Sequence, residues 1–241
     1  WEREPFEWKE TKYLWPVVAP KTGRVEKLND VIFKGSIQNN KTNFVDTFEE
    51  DELNLNWNFR RYPIKGIYTL DRENNQLKML CHPNQIRERG RASLLGFKQT
   101  ESSFEFLTKM YFDPTGNGSE AGISLFQKDD NYINFTIIKQ EGKPHIKAFV
   151  VRKGEPVMTF KQQLKKYSNN IKFKVIADKN IFKLYYSLNE MNFNLFTTLD
   201  GSYLKSKGYT GAHLGLYATG NGNKTNDIAS FDYVNYLTKK K

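Results

Sequence analysis

Apolar and polar residues alternate along one short segment after another in this sequence. Within Tyr132–Ile138 the even-numbered residues fall on one face of an extended chain and the odd-numbered residues on the other. A period of two residues is typical of a half-buried β-strand. The best helix candidate, residues 161–170, has one Leu, one Tyr and no apolar stripe. We therefore predict a loop or a single turn there, and no helix elsewhere.

Turn signals separate these alternating segments. Glycine supplies positive φ and proline ends a strand, so Asp113–Gly118 is predicted to be a loop. Asp178–Asn180 between two apolar runs is a compact hairpin signal. Short strands at regular spacing without helices predict an all-β fold, an antiparallel two-sheet β-sandwich. The predicted strands are Phe104–Phe112, Ala121–Phe126, Tyr132–Ile138, His145–Val151, Ile171–Ala177, Ile181–Ser187, Gly211–Ala218 and Ile228–Leu237.

The composition bears on the core and on the partners. Aromatic residues make up 15% of 241 residues, so rings are expected to fill much of the core. Cys81 is the one cysteine, which excludes an internal disulfide, leaves the compartment open and fits a small core residue. The net charge is +10, but the lysines are spread along the chain, which favours a solvated surface over a nucleic-acid partner. No apolar stretch approaches a membrane span, so we predict no membrane partner.

Residues that could carry catalysis or bind metal are sparse. Glu49 and Asp51 could share a face, but the acidic series stops at Leu53. The three histidines are far apart and lack zinc-ligand spacing. Asp46 and Asp232 could meet if the first and last strands pair, and they are candidate ligands for a structural calcium ion. The alternative is that both are ordinary turn or surface acids.

The segment Phe44–Arg60 begins a series of motifs that resembles a known family. It resembles the opening of the concanavalin A-like C-terminal domain of glycoside hydrolase family 43 β-xylosidases and arabinofuranosidases. The resemblance covers roughly residues 44–238 and implies a jelly-roll sandwich of concanavalin A type. The later segments that follow the same order are Gly66–Leu70, Gln76–Met79, Leu95–Gln99, Ala121–Phe126, Asn131–Ile133, Leu184–Asn189 and Phe231–Val234.

The tryptophan-rich N-terminus resembles the end of that family's five-bladed propeller and its linker. We therefore expect residues 1–43 to be a tail from the propeller, packed on the sandwich, and residues 44–241 to form the sandwich itself. The family's catalytic acids lie in the propeller, so the resemblance implies a non-catalytic domain with the propeller and a xylo- or arabino-oligosaccharide as partners. Its implied location is periplasmic, secreted or cytoplasmic.

The resemblance also implies a contact with the sugar pocket of the propeller. In the family a loop of the sandwich reaches the rim of that pocket, and by position it falls on Ile86–Arg91. Arg87, Arg89, Gly90 and Arg91 are the candidate residues, because arginine donates several hydrogen bonds to hydroxyls or pairs with a carboxylate. The alternative is a solvated charged loop. Trp57 could stack on a sugar, although a strand tryptophan is more often a core residue.

Other functions remain open at this point. A lectin-like domain that binds carbohydrate autonomously is the main alternative to a pocket-closing accessory domain. A nucleic-acid-binding protein or an autonomous enzyme is less compatible with the sequence.

Overall fold

The structure is a computed structural model, and it describes residues 43–189, 191–205 and 211–238. Residues 1–42, which carry the predicted propeller tail, lie outside the described residues. No helix in the described part of the chain is long and apolar enough to cross a membrane.

The first sheet is antiparallel and has the strand order β13-β12-β11-β6-β15-β4-β3, with β1 paired to β15. The first strand of the chain, β1, therefore pairs with the last strand, β15. This is the pairing that the calcium hypothesis for Asp46 and Asp232 requires. The strands are β1 (Phe44–Asp46), β3 (Tyr68–Asp71), β4 (Gln76–Leu80), β6 (Phe104–Phe112), β11 (Asn170–Asp178), β12 (Ile181–Ser187), β13 (Asn194–Asp200) and β15 (Ile228–Thr238).

The second sheet is also antiparallel and has the order β10-β9-β8-β7-β14-β5-β2. Together the two sheets confirm the predicted all-β sandwich. The strands are β2 (Asn58–Phe59), β5 (Ser93–Lys98), β7 (Glu120–Lys128), β8 (Asn131–Gln140), β9 (Lys143–Arg152), β10 (Glu155–Gln163) and β14 (His213–Thr219). Short 3-10 helices span Ile86–Glu88 and Ser202–Lys205.

The core consists largely of aromatic rings held between the sheets. Phe106 in β6 and Phe135 in β8 are fully buried, and the Phe135 ring packs edge-on against Phe173 at 5.0 Å. Each fully buried ring of this size contributes about 1.5–3 kcal/mol of apolar transfer free energy. Cys81 is buried in the same core, where burial raises the pKa of its thiol to about 12. Its predicted core position is confirmed.

Strand β10 is the main departure from the predicted elements. The sequence pattern predicts no strand over Glu155–Gln163, and residues 161–163 fall within the predicted loop or turn. Every residue of β10 is exposed, because this strand lies at the edge of the second sheet. An edge strand exposed on both faces needs no alternation of apolar and polar residues, so its sequence carries no period-two signal.

Candidate functional site

The loop that carries the candidate arginines, Ile86–Arg91, is called the arginine loop. The segment that contains it, residues 82–91, is hydrogen-bonded to the end of β14. The Thr219 hydroxyl donates to the carbonyl of Asn84 at 3.2 Å, and the amide of Gly220 donates to the carbonyl of His82 at 2.8 Å. The Tyr217 hydroxyl hydrogen-bonds to Thr219 and to the backbone of Ile86, whose side chain is buried. The segment that leads into the loop is therefore anchored at His82 and Asn84, and the loop itself at Ile86.

The three arginines of this loop are exposed. Arg87 lies in the 3-10 helix, and Arg89 follows it in the left-handed region with φ 54°. Gly90 is partly buried, and a Cβ there would meet the side chain of Asn84 at 2.4 Å. Within the part of the chain that the structure describes, none of the three arginines forms an ion pair. The nearby charge of Arg91 and the burial of His82 lower the pKa of that histidine, burial being the larger cause.

A cavity of about 290 Å³ opens beside the loop, on the face of the second sheet that points away from the core. It draws residues from the loop and from strands β7, β8, β9, β10 and β14. The lining residues are Gln85, Arg87, Glu120, Tyr132, Asn134, Lys147, Phe149, Pro156, Tyr217 and Asn221. Of these, only Arg87 was a candidate from sequence. Alternation had indicated that Tyr132 and Asn134 share a face, but it could not show what faced them.

Glu120 forms the polar floor of this cavity. Its side chain is 2% exposed and makes an ion pair with Lys147. Asn221 donates at 3.0 Å to the same Glu120 oxygen that pairs with Lys147, and the other oxygen accepts a hydrogen bond from Thr136 at 2.7 Å. A buried carboxylate is tolerated when it is paired and hydrogen-bonded in this way. The Glu120–Lys147 pair therefore carries no net charge into the cavity.

Tyr132 and Tyr217 are buried on the same face, and burial raises the pKa of both hydroxyls well above the ordinary value of 10. Both phenols are neutral at neutral pH and can donate a hydrogen bond.

Trp57 lies in the core. Its side chain is 7% exposed and packs against Phe44, Phe48 and Phe97. The indole N–H donates to Asp46 at 2.7 Å. Trp57 is therefore a core residue in this structure, and its stacking on a sugar stays a prediction.

The two candidate calcium ligands have separate partners. Besides the indole of Trp57, Asp46 accepts a hydrogen bond from the Phe48 amide at 2.8 Å. Asp232 accepts from Gln76 at 2.6 Å and lies 3.4 Å from the ammonium of Lys109. No group of three or more His, Cys, Asp or Glu side chains that could hold a metal occurs among the described residues. A structural calcium ion stays a prediction.

The acidic segment that was considered for catalysis is exposed. Asp51 is fully exposed and lies 3.5 Å from Arg72. Asp51 and Glu52 line an open cleft of about 930 Å³ together with Tyr62 and Arg72. Glu49 does not line this cleft.

The comparison with known protein families decides where this chain belongs. Residues 45–237 match the model of the beta-xylosidase C-terminal concanavalin A-like domain. The chain belongs to this family. This chain is also similar to curated proteins. It is 26% identical over 227 residues to a xylosidase/arabinosidase of Butyrivibrio fibrisolvens, covering 91% of this chain and 43% of the relative.

The chain is also similar to a second curated protein, and a solved structure shares its fold. The non-reducing end alpha-L-arabinofuranosidase BoGH43B of Bacteroides ovatus is 23% identical over 193 residues, covering 79% of this chain and 36% of the relative. The crystal structure of the GH43 protein BlXynB from Bacillus licheniformis superposes with a TM-score of 0.75 at 24% identity. That match covers 88% of this chain and 41% of the other. The chain therefore spans less than half the length of these relatives.

Proposed function

We propose that this chain is a non-catalytic accessory domain that packs on the catalytic propeller of a family 43 glycoside hydrolase and helps to close its sugar pocket. Membership of the C-terminal domain family supports the accessory role. The chain also spans only 43% of the xylosidase/arabinosidase relative, which leaves room for a separate catalytic part. The names of the relatives support xylo- and arabino-oligosaccharides as the substrates of the whole enzyme.

The arginine loop carries the pocket-closing part of the proposal. A loop that completes the pocket of another domain must hold its shape before the substrate arrives, since ordering it afterwards would cost binding free energy. The anchors at Asn84, His82 and Ile86 supply that rigidity. Arg89 and Arg91 are exposed and unpaired within the described residues, and are free to donate to hydroxyl groups of a sugar.

Removal of these arginines from the full-length enzyme tests the proposal. Arg89→Ala and Arg91→Ala should each raise KM for an aryl xyloside or arabinoside about three- to tenfold, the range expected for one lost hydrogen bond. The matched control is Lys183→Ala, which removes an exposed cation from β12 of the first sheet. Unchanged kinetics in both arginine variants would remove the pocket-closing role. Hydrolysis by the 241-residue chain alone would contradict the non-catalytic role.

The main alternative, a domain that binds carbohydrate autonomously, is favoured by one observation. The cavity beside the arginine loop is built from this chain's own strands, and it combines polar and aromatic side chains.

A further inference from the structure

The cavity beside the arginine loop lies at the middle of the second sheet. Glu120 and Thr219 are paired across β7 and β14, and Thr136 and Lys147 are paired across β8 and β9. Side chains alternate between the faces of a strand, and the odd-numbered residues of β8 such as Phe135 point into the core. The even-numbered residues therefore point to the opposite face, where Tyr132 and Asn134 line the cavity on a frame of paired strands.

Two deeply buried side chains line the cavity with polar groups that have no partner. Tyr132 is 1% exposed, and its hydroxyl makes no hydrogen bond within the described residues. Asn134 is 3% exposed, and its carboxamide makes one hydrogen bond, which it accepts from Ser124 at 2.8 Å. This bond leaves the NH2 group of Asn134 free. Neither group is among the fully enclosed polar atoms that lack a partner in the described residues, so both remain open to the cavity and can bond to a ligand there.

The charge of the cavity comes from Arg87. The ion pair between Glu120 and Lys147 is neutral, whereas the guanidinium of Arg87 at the rim has no ion pair within the described part of the chain. The free groups are thus one cation and two hydrogen-bond donors, those of Tyr132 and Asn134. Such a set favours a ligand that is rich in acceptors and carries a negative charge.

Apolar surface completes the lining. The ring centroids of Tyr132 and Phe149 lie 6.3 Å apart, and Pro156, which belongs to β10, lines another side of the cavity. Drug-sized ligands occupy cavities of roughly 300–1,000 Å³, so a cavity of about 290 Å³ has room for one small ring.

We propose that this cavity binds a single sugar ring that carries a carboxylate, a uronate. The carboxylate pairs with Arg87, the hydroxyls bond to Tyr132 and Asn134, and the carbon face of the ring packs on Phe149. This site goes beyond the proposed closing of the propeller's pocket, because every residue that forms it belongs to the sandwich.

Binding of D-glucuronate to the 241-residue chain tests the site, with D-glucose and acetate as comparison probes. Titration followed by NMR or calorimetry should show saturable binding of glucuronate at least tenfold tighter than that of either comparison probe. Arg87→Ala should weaken glucuronate binding by about ten- to 100-fold, as expected for a charge-assisted pair. Tyr132→Phe removes only the unpartnered hydroxyl and should weaken binding about three- to tenfold. Lys183→Ala is the matched control, since it removes an exposed cation from β12 of the first sheet, and it should bind as the unmodified chain does.

Three results would overturn the uronate site. These are no binding at tens of millimolar glucuronate, equal binding of glucose or acetate, and unaltered binding in both the Arg87→Ala and Tyr132→Phe chains. Thermal unfolding of each variant distinguishes a lost contact from a lost fold. The outcome is independent of the pocket-closing proposal, since that rests on KM in the full-length enzyme and on Arg89 and Arg91.

Discussion

At the scale of single residues, the polar side chains that line the cavity beside the arginine loop differ from the aromatic side chains that fill the core. Trp57 is an aromatic residue whose side chain packs in the core. Its ring is enclosed by phenylalanines and its one polar atom donates to Asp46. A buried indole usually finds such a partner. Phe149, by contrast, is half-buried and lines the cavity, where the ammonium of Lys147 lies 5.4 Å from the centroid of its ring.

Trp57→Phe tests this contrast. The change deletes the bond to Asp46 and part of a packed ring, so the free energy of unfolding should fall by about 1–3 kcal/mol. Denaturant unfolding measures this loss. Glucuronate affinity should not change, because Trp57 lies in the core between the sheets. Tyr62→Phe, at a tyrosine that is 81% exposed, is the control and should be neutral. A Trp57→Phe chain that keeps normal stability but no longer binds the sugar would indicate that Trp57 stacks on the sugar.

At the scale of strands and loops, local sequence predicted most of the architecture. The turn at Asp178–Asn180 and the strands on either side follow the pattern because each strand has one buried face. Strand β10 was missed because an exposed edge strand has no such pattern. The cavity was missed for a different reason. Tyr132 and Phe149 come together through the register between β8 and β9, which depends on pairing across the whole sheet and leaves no local signal.

The turn that holds the arginine loop gives a prediction about one glycine. A Cβ at Gly220 would lie 2.2 Å from the carbonyl oxygen of Asn223, and that backbone atom cannot rotate away. Gly220→Ala should therefore shift the turn and lower the free energy of unfolding by about 1–3 kcal/mol. Because the Gly220 amide also bonds to His82, the arginine loop should loosen. Faster amide hydrogen exchange at residues 82–91 would show this.

Gly116→Ala is the matched control. The nearest atom to a Cβ at Gly116 is an oxygen of Asp227 at 3.7 Å, an ordinary contact. This variant should keep both its stability and the exchange rates of the arginine loop. Equal behaviour of the Gly220 and Gly116 variants would contradict the role of the turn as an anchor.

At the scale of the whole molecule, Asp227 links loops that cross between the two sheets. Its carboxylate accepts hydrogen bonds from the amide and hydroxyl of Thr115 at 2.9 and 2.7 Å, and from the amide of Gly116 at 3.3 Å. Thr115 and Gly116 connect β6 in the first sheet to β7 in the second, and Asp227 connects β14 back to β15. The backbone carbonyl of Asp227 also accepts from the Cys81 amide at 2.9 Å, beyond the end of β4.

These hydrogen bonds to Asp227 make the free energy of unfolding of the sandwich dependent on pH. Burial alone would raise the pKa of Asp227, but the hydrogen bonds from Ser119, Thr115 and Gly116 outweigh it and lower the pKa from 3.8 to about 2. A carboxyl group with a lowered pKa in the folded state stabilises the fold above its unfolded pKa. That contribution, ~2 kcal/mol, should be lost as the pH falls from about 4 to about 2.

Asp227→Asn separates this contribution from general acid unfolding. At pH 7 the variant should be less stable by about 1–3 kcal/mol, because an uncharged amide replaces an acceptor of several hydrogen bonds. The difference from the unmodified chain should shrink as the pH falls from about 4 to about 2, since the native carboxylate is then protonated. Denaturant midpoints at several pH values measure this convergence, and Asp51→Asn at a fully exposed site should follow the unmodified chain throughout. If the difference in the free energy of unfolding stays constant down to pH 2, the negative charge of Asp227 does not stabilise the crossing loops. The shape of its side chain would then account for their stability.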